Sequence, residues 1–333
     1  MKKDDLTIEQ YIKVKERRKV FRTIAESLIC ILVVGYAFSQ ICFSEKYKAP
    51  NKELWSQQNG FVMISYASIG NGDDNISEKE LDEQLGVLYD NGYTTIGVDD
   101  VVDFYDHNGK LPDKALFLVL EDGTKASTKI AKNVLKKYNY KAITMNYAGY
   151  LTTRNRSYLN VSDLKKIQKD DYFDIGTSGY RFEYINVKSK DNDANSTDND
   201  ANSTDIKNST YDHYLADYLR DGDDIPIETQ DEMTKRINWD YEEMNKIYKK
   251  ILGDMPKCYM MVPADKLFYN ITDSVGKVNE KNINKYFDIA INRTGDCYNT
   301  RNQSKYDLTR IKVEKQWSGS QLLDKINKSI NKH

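Results

Sequence analysis

The stretch LFLVLEDGTKAS, residues 116–127, decides how this chain is read. An apolar run ends in the adjacent acids Glu121 and Asp122, and Gly123 and Thr124 then lead into a helical pattern. A continuous apolar run bounded by turn residues suits a strand buried on both faces. The acids admit two readings. Asp-Gly is an ordinary turn from strand to helix. Alternatively the pair belongs to a catalytic site, because α/β barrels carry their chemistry at the carboxyl ends of strands.

Outward from this stretch, strand-like runs alternate with helical patterns. The strand candidates are FVMISY (61–66), TTIGV (94–98), ALFLVL (115–120), AITMNY (142–147), FDIGT (173–177), CYMMV (258–262), FDIAI (287–291) and LTRIKV (308–313). Between them, Ser77 with Glu80 and Thr229 with Glu232 form capping-box patterns ahead of amphipathic stretches. Such alternation predicts a parallel sheet with crossover helices, and seven or eight strands suffice to close a barrel. The 333 residues hold one barrel-sized domain plus an N-terminal segment.

That segment is the one departure from a soluble composition. Ser27–Phe43 is uncharged, and extension back to Ile24 adds only Glu26. Lys13, Lys15, Arg17, Arg18, Lys19 and Arg22 precede it. By the positive-inside rule, residues 1–22 form a cytoplasmic basic leader, 23–43 a transmembrane signal anchor, and 44–58 a stalk. The domain, 59–331, then lies outside the cell membrane. A cleaved signal peptide ending near Ala37-Phe38-Ser39 is the rival reading.

Lys and Arg total 49 against 51 Asp and Glu, so the net charge of −2 gives no basic surface for nucleic acid. Of four cysteines, Cys30 and Cys42 fall in the anchor, leaving Cys258 and Cys297 either free or paired. DNDANSTDNDANST, residues 191–204, repeats a seven-residue polar unit, and residues 187–210 read as a disordered insertion. Its Asp-Asn pattern lacks the glycine and distal glutamate of an EF-hand loop.

LPDKALFLVLEDGTKASTKIAKNVLKKYNYKAITMNYAGYL (111–151) resembles the polysaccharide deacetylases, the NodB-like domains of carbohydrate esterase family four. The likeness extends to FVMISYASIG (61–70), LDEQLGVLYDNGYTTIGVDDVVDF (81–104), MPKCYMMVPADKL (255–267) and YDLTRIKV (306–313). It implies a distorted (β/α)7-type barrel that removes N-acetyl groups from chitin-like, peptidoglycan or exopolysaccharide sugars. The family's chemistry uses a divalent metal, typically zinc, held by one Asp and two His, with a second Asp as base; the metal lowers the pKa of a bound water.

Carried over by position, Glu121 falls at the base and Asp122 at the metal-ligand carboxylate. Ser178 and Phe182 occupy the two histidine positions, Ala67 stands where many members have His, and Ala264 replaces the Tyr after Pro263. The resemblance places Tyr66, Ser178, Arg181, Pro263 and Asp265 in the substrate cleft. With the histidines gone, only a remnant metal site at Asp122 is expected and no cofactor is implied, although a harder cation held by Glu121, Asp122 and Asp265 is conceivable. Three functions follow: a membrane-anchored domain binding envelope polysaccharide or peptidoglycan without metal-dependent turnover, an active carbohydrate hydrolase using Glu121 and Asp122, or an interaction scaffold in surface-polysaccharide export.

Overall fold

The computed structural model describes residues 8–42, 46–153, 155–181, 184–186, 211–221, 225–260 and 273–333. The chain forms two compact units, one up to Lys46 and one from Tyr47 to His333. In the first, a single helix, α1, runs from Ile8 to Cys42. Among the described residues no helix is long and apolar enough to cross a membrane, so the transmembrane helix expected over 23–43 is not found among them. Extending the uncharged run Ser27–Phe43 toward the roughly 20 residues a bilayer requires takes in Glu26 and then Arg22.

In the second unit, β1 (Gly60–Tyr66), β3 (Ala115–Leu120), β4 (Ala142–Tyr147), β5 (Phe173–Gly179), β8 (Cys258–Met260), β9 (Ile289–Thr294) and β11 (Leu308–Lys312) pair in that order, all parallel, and β11 pairs back onto β1. The result is the closed seven-stranded barrel that the alternation predicts. Two short strands add at the amino ends: β2 (Thr94–Thr95) on β3, and β10 (Tyr298–Thr300) antiparallel on β1. The run expected as a strand over 94–98 stops at Thr95 because Asp100 accepts from the Gly97 amide and starts helix α3 (Val98–Asp106) there.

Alternation divides the strand residues between two cores. Phe61, Met63, Phe117, Val119, Ile143, Met145, Met260 and Ile291 fill the barrel interior. Their neighbours Val62, Ile64, Tyr66, Leu116, Leu118 and Leu120 lie in an outer core with residues of α2 (Glu78–Asp90), α4 (Lys125–Tyr138) and α8 (Gly319–Ile330). Both faces of β3 are therefore dry, which explains its unbroken apolar sequence. The long α6 (Gln230–Leu252) and α7 (Asp273–Tyr286) share a third core with Tyr259 and Ala290. Both expected capping boxes are formed, at Ser77–Glu80 and Thr229–Glu232.

The stretch expected to be a stalk packs on the domain from Tyr47 onward. The Tyr47 ring lies 5.5 Å from Tyr172, and the Lys48 amide donates to Asn139 Oδ1 at 2.8 Å. Trp55 is buried at the barrel's amino-terminal end beside Leu111. Cys258 and Cys297 are buried and free. The hairpin of β6 (Tyr184–Asn186) and β7 (Tyr211–His213) brackets residues 187–210, so the expected disordered insertion lies outside the described residues.

Candidate functional site at the carboxyl end of the barrel

Glu121 and Asp122 sit on opposite sides of the chain as it leaves β3. Glu121 continues the inward series Phe117, Val119, and its amide donates to the Tyr66 carbonyl of β1 at 3.0 Å. Arg310, inward on β11, donates from Nε to Glu121 Oε1 at 2.6 Å, with both side chains buried. Burial alone pushes the Glu121 carboxyl upward, but the charge and hydrogen bond of Arg310 outweigh it and hold the group below the usual glutamate range. Ser65, inward on β1, and Lys312 of β11 add to this lowering.

Asp122 turns outward to the start of α4. Its carboxylate accepts from the Thr124 amide at 3.1 Å and from the hydroxyls of Thr124 (3.0 Å), Ser127 (2.5 Å) and Ser68 (3.2 Å). Burial pushes its pKa up in spite of these bonds. No cation answers it among those partners. Thr124, one turn residue later, is the N-cap of α4 and accepts from Ser127 N. Asp122 thus shapes the turn and Thr124 caps the helix. Gly123 requires its φ of +60°, and a Cβ there would meet the Met145 carbonyl at 2.7 Å.

The other expected site residues disperse. Tyr66 is fully buried in the outer core, its hydroxyl held protonated by burial, so it does not line a cleft. Arg181 donates to the buried Asp240 at 3.1 Å and lies over the rings of Tyr180, Tyr214 and Trp239, anchoring α6 to the end of β5. Ser178 is buried at the carboxyl end of β5. Phe182, Pro263, Ala264 and Asp265 lie outside the described residues. His107 pairs with Asp103 at the end of α3, and His333 with Asp296.

The donor set decides whether the described residues suit the metal that the resemblance implies. Around Asp122 they supply an amide and three hydroxyls, all already donating to its carboxylate. Among the described residues no group of three His, Cys, Asp or Glu side chains converges. These residues do not fit a zinc centre. Sequence reasoning left Arg310 and Ser65 without a role. The signal was available in alternation: each is polar at an inward position whose preceding inward residue, Met63 or Leu308, is apolar.

The barrel defines the class: its fold is that of the polysaccharide deacetylases. No family model matches the sequence, and no curated protein matches it either. Solved structures do. A de-N-acetylase from Aggregatibacter actinomycetemcomitans superposes with a TM-score of 0.61 at 14% identity, covering 80% of this chain and 99% of that one. The Streptococcus pyogenes deacetylase PplD, solved in complex with acetate, gives 0.56 at 13%, covering 80% and 98%. IcaB from Ammonifex degensii gives 0.55 at 16%, covering 81% and 98%. At these identities the likeness carries the fold alone.

Proposed function

We propose that this chain is a deacetylase-fold domain that binds N-acetylated envelope glycan at the carboxyl mouth of its barrel, without metal-dependent turnover. One observation carries the reading: the Asp122 carboxylate, at the position of a metal ligand, accepts from Ser68, Thr124 and Ser127 in a strand-to-helix turn. Solved structures described as polysaccharide deacetylases share the fold, which supports a glycan as the partner class. Active hydrolysis is the second reading. It is favoured by the anionic state of Glu121, which a general base requires.

Purified full-length chain, assayed with N-acetylated oligosaccharides, separates the two. Saturable binding without chelator-sensitive acetate release is expected. Acetate release abolished by chelator and by Glu121→Gln would overturn the non-catalytic reading. The same proposal keeps residues 23–43 as the membrane anchor, on the strength of the basic leader and the uncharged run that follows it. A reporter fused after residue 44 should work only outside the cytoplasm, and cytoplasmic activity would refute this placement.

A further inference from the structure

The chain carries a net charge of −2, yet residues 13–22 of α1 hold six basic side chains and one acid. They are unevenly spread around the helix. Lys15, Arg18, Lys19 and Arg22 stand at spacings of three and four residues, so they share one face, and all four are exposed. Glu26 continues that line and pairs with Arg22 at 2.8 Å. Lys15, Arg18 and Lys19 meet no acid among the described residues. The other face is mixed: Lys13, Glu16 and Arg17 stand there with Val20, Phe21 and Ile24, and exposed apolar surface continues through Leu28.

Two observations make the basic stripe more than a solvated face. Helix α1 is unbroken from Ile8 to Cys42, so nothing turns the stripe away from the uncharged run that follows it. At 1.5 Å per residue, Lys15 to Arg22 spans about 10 Å, close to the Debye length of about 8 Å, which keeps these charges in the surface field of a bilayer entered by residues 23–43. The face across the helix is also apolar and exposed, as on a helix that rests at headgroup level while Lys and Arg stems reach toward phosphates. We propose that Lys15, Arg18, Lys19 and Arg22 bind the headgroups of anionic phospholipid, so that the chain gathers such lipid around the basic end of α1. The proposal rests on the membrane placement of residues 23–43 above.

Full-length chain carrying Phe21→Trp as a probe, reconstituted in bilayers of equal parts phosphatidylglycerol and phosphatidylcholine, tests this by quenching with the brominated form of either lipid in turn. The signal is read as the difference from the chain without the probe. Phosphatidylglycerol should be preferred at the probe by at least about fivefold, the contribution of one basic side chain at an anionic surface. Combining Lys15→Gln, Arg18→Gln, Lys19→Gln and Arg22→Gln should bring the ratio to about one, whereas Lys13→Gln with Arg17→Gln should keep most of it. Equal quenching by the two lipids in the probe chain, or equal loss of preference in both sets of variants, would overturn the stripe and leave the membrane anchor standing. Quenching by neither lipid would overturn both.

Discussion

Glu121 and Asp122 are adjacent, yet the two sides of β3 give them opposite fates. The inner side offers Glu121 a buried guanidinium, and its pKa falls; the outer side offers Asp122 only hydroxyls and one amide, and its pKa rises. Both groups are largely buried, so burial does not distinguish them. The difference lies chiefly in the Arg310 cation delivered by β11, a strand almost 190 residues away in sequence, with Ser65 and Lys312 adding to it. Four hydrogen bonds from neutral donors do not offset the burial of a carboxylate at Asp122, while a contacting guanidinium with this support does at Glu121.

The largest break in this comparison should come from removing the cation. Arg310→Leu leaves Glu121 buried and uncompensated and should cost about 3–5 kcal/mol in urea unfolding, whereas the double variant Arg310→Leu with Glu121→Leu should recover most of that loss. A single variant as stable as the unaltered chain would mean that the ion pair is not formed.

The pH dependence separates the two acids next. Glu121, with a lowered pKa, contributes stability that is fully present above its unfolded value of about 4.3 and is lost as pH falls through the lower folded value. Asp122, with a raised pKa, contributes in the other direction: its stability is fully present below the unfolded value of about 3.9 and is lost as pH rises through the higher folded one. Unfolding curves from pH 2.5 to 7 should therefore lose an acid-side slope in Glu121→Gln and a slope of opposite sign in Asp122→Asn. Identical changes in the two variants would erase the distinction.

Smaller still is the turn itself. Asp122→Ala at pH 7 should cost about 1 kcal/mol, because it removes the acceptor for Thr124 N and the neighbouring hydroxyls but also relieves a buried charge. A loss as large as that from Arg310→Leu would show Asp122 to be more than a turn residue. The smallest effect is expected from deleting residues 190–206, since loop closure grows only logarithmically with length. A fall of more than a few degrees in melting temperature would count against the polar repeat's reading as an insertion.

Much of the barrel was legible because its elements are local. ALFLVL and AITMNY are strands over the residues that the pattern marks, since both faces of each are buried and every residue is apolar or small enough to pack. FDIAI begins late, at Ile289, because the Phe287 amide still bonds to Ile283 O at the end of α7. Strand β10 was not anticipated, having three residues, of which two are polar, and a partner on β1 far back in the chain. The site was legible only in outline. The position of the acids follows from the strand end, and the absence of histidine at 178 and 182 follows from the sequence.

By itself the sequence determined where β3 and β4 end, where α2 and α6 begin and which residue types stand at the carboxyl end of β3, because period, capping and turn chemistry act over a few residues. Only the tertiary structure decided what each acid does there. Closing seven strands into a ring brings Arg310 to Glu121 and leaves Asp122 facing Ser68 and Ser127. The protonation of a buried carboxylate depends on the charges within a few ångströms of it, and those neighbours are set by barrel closure rather than by adjacency in the chain.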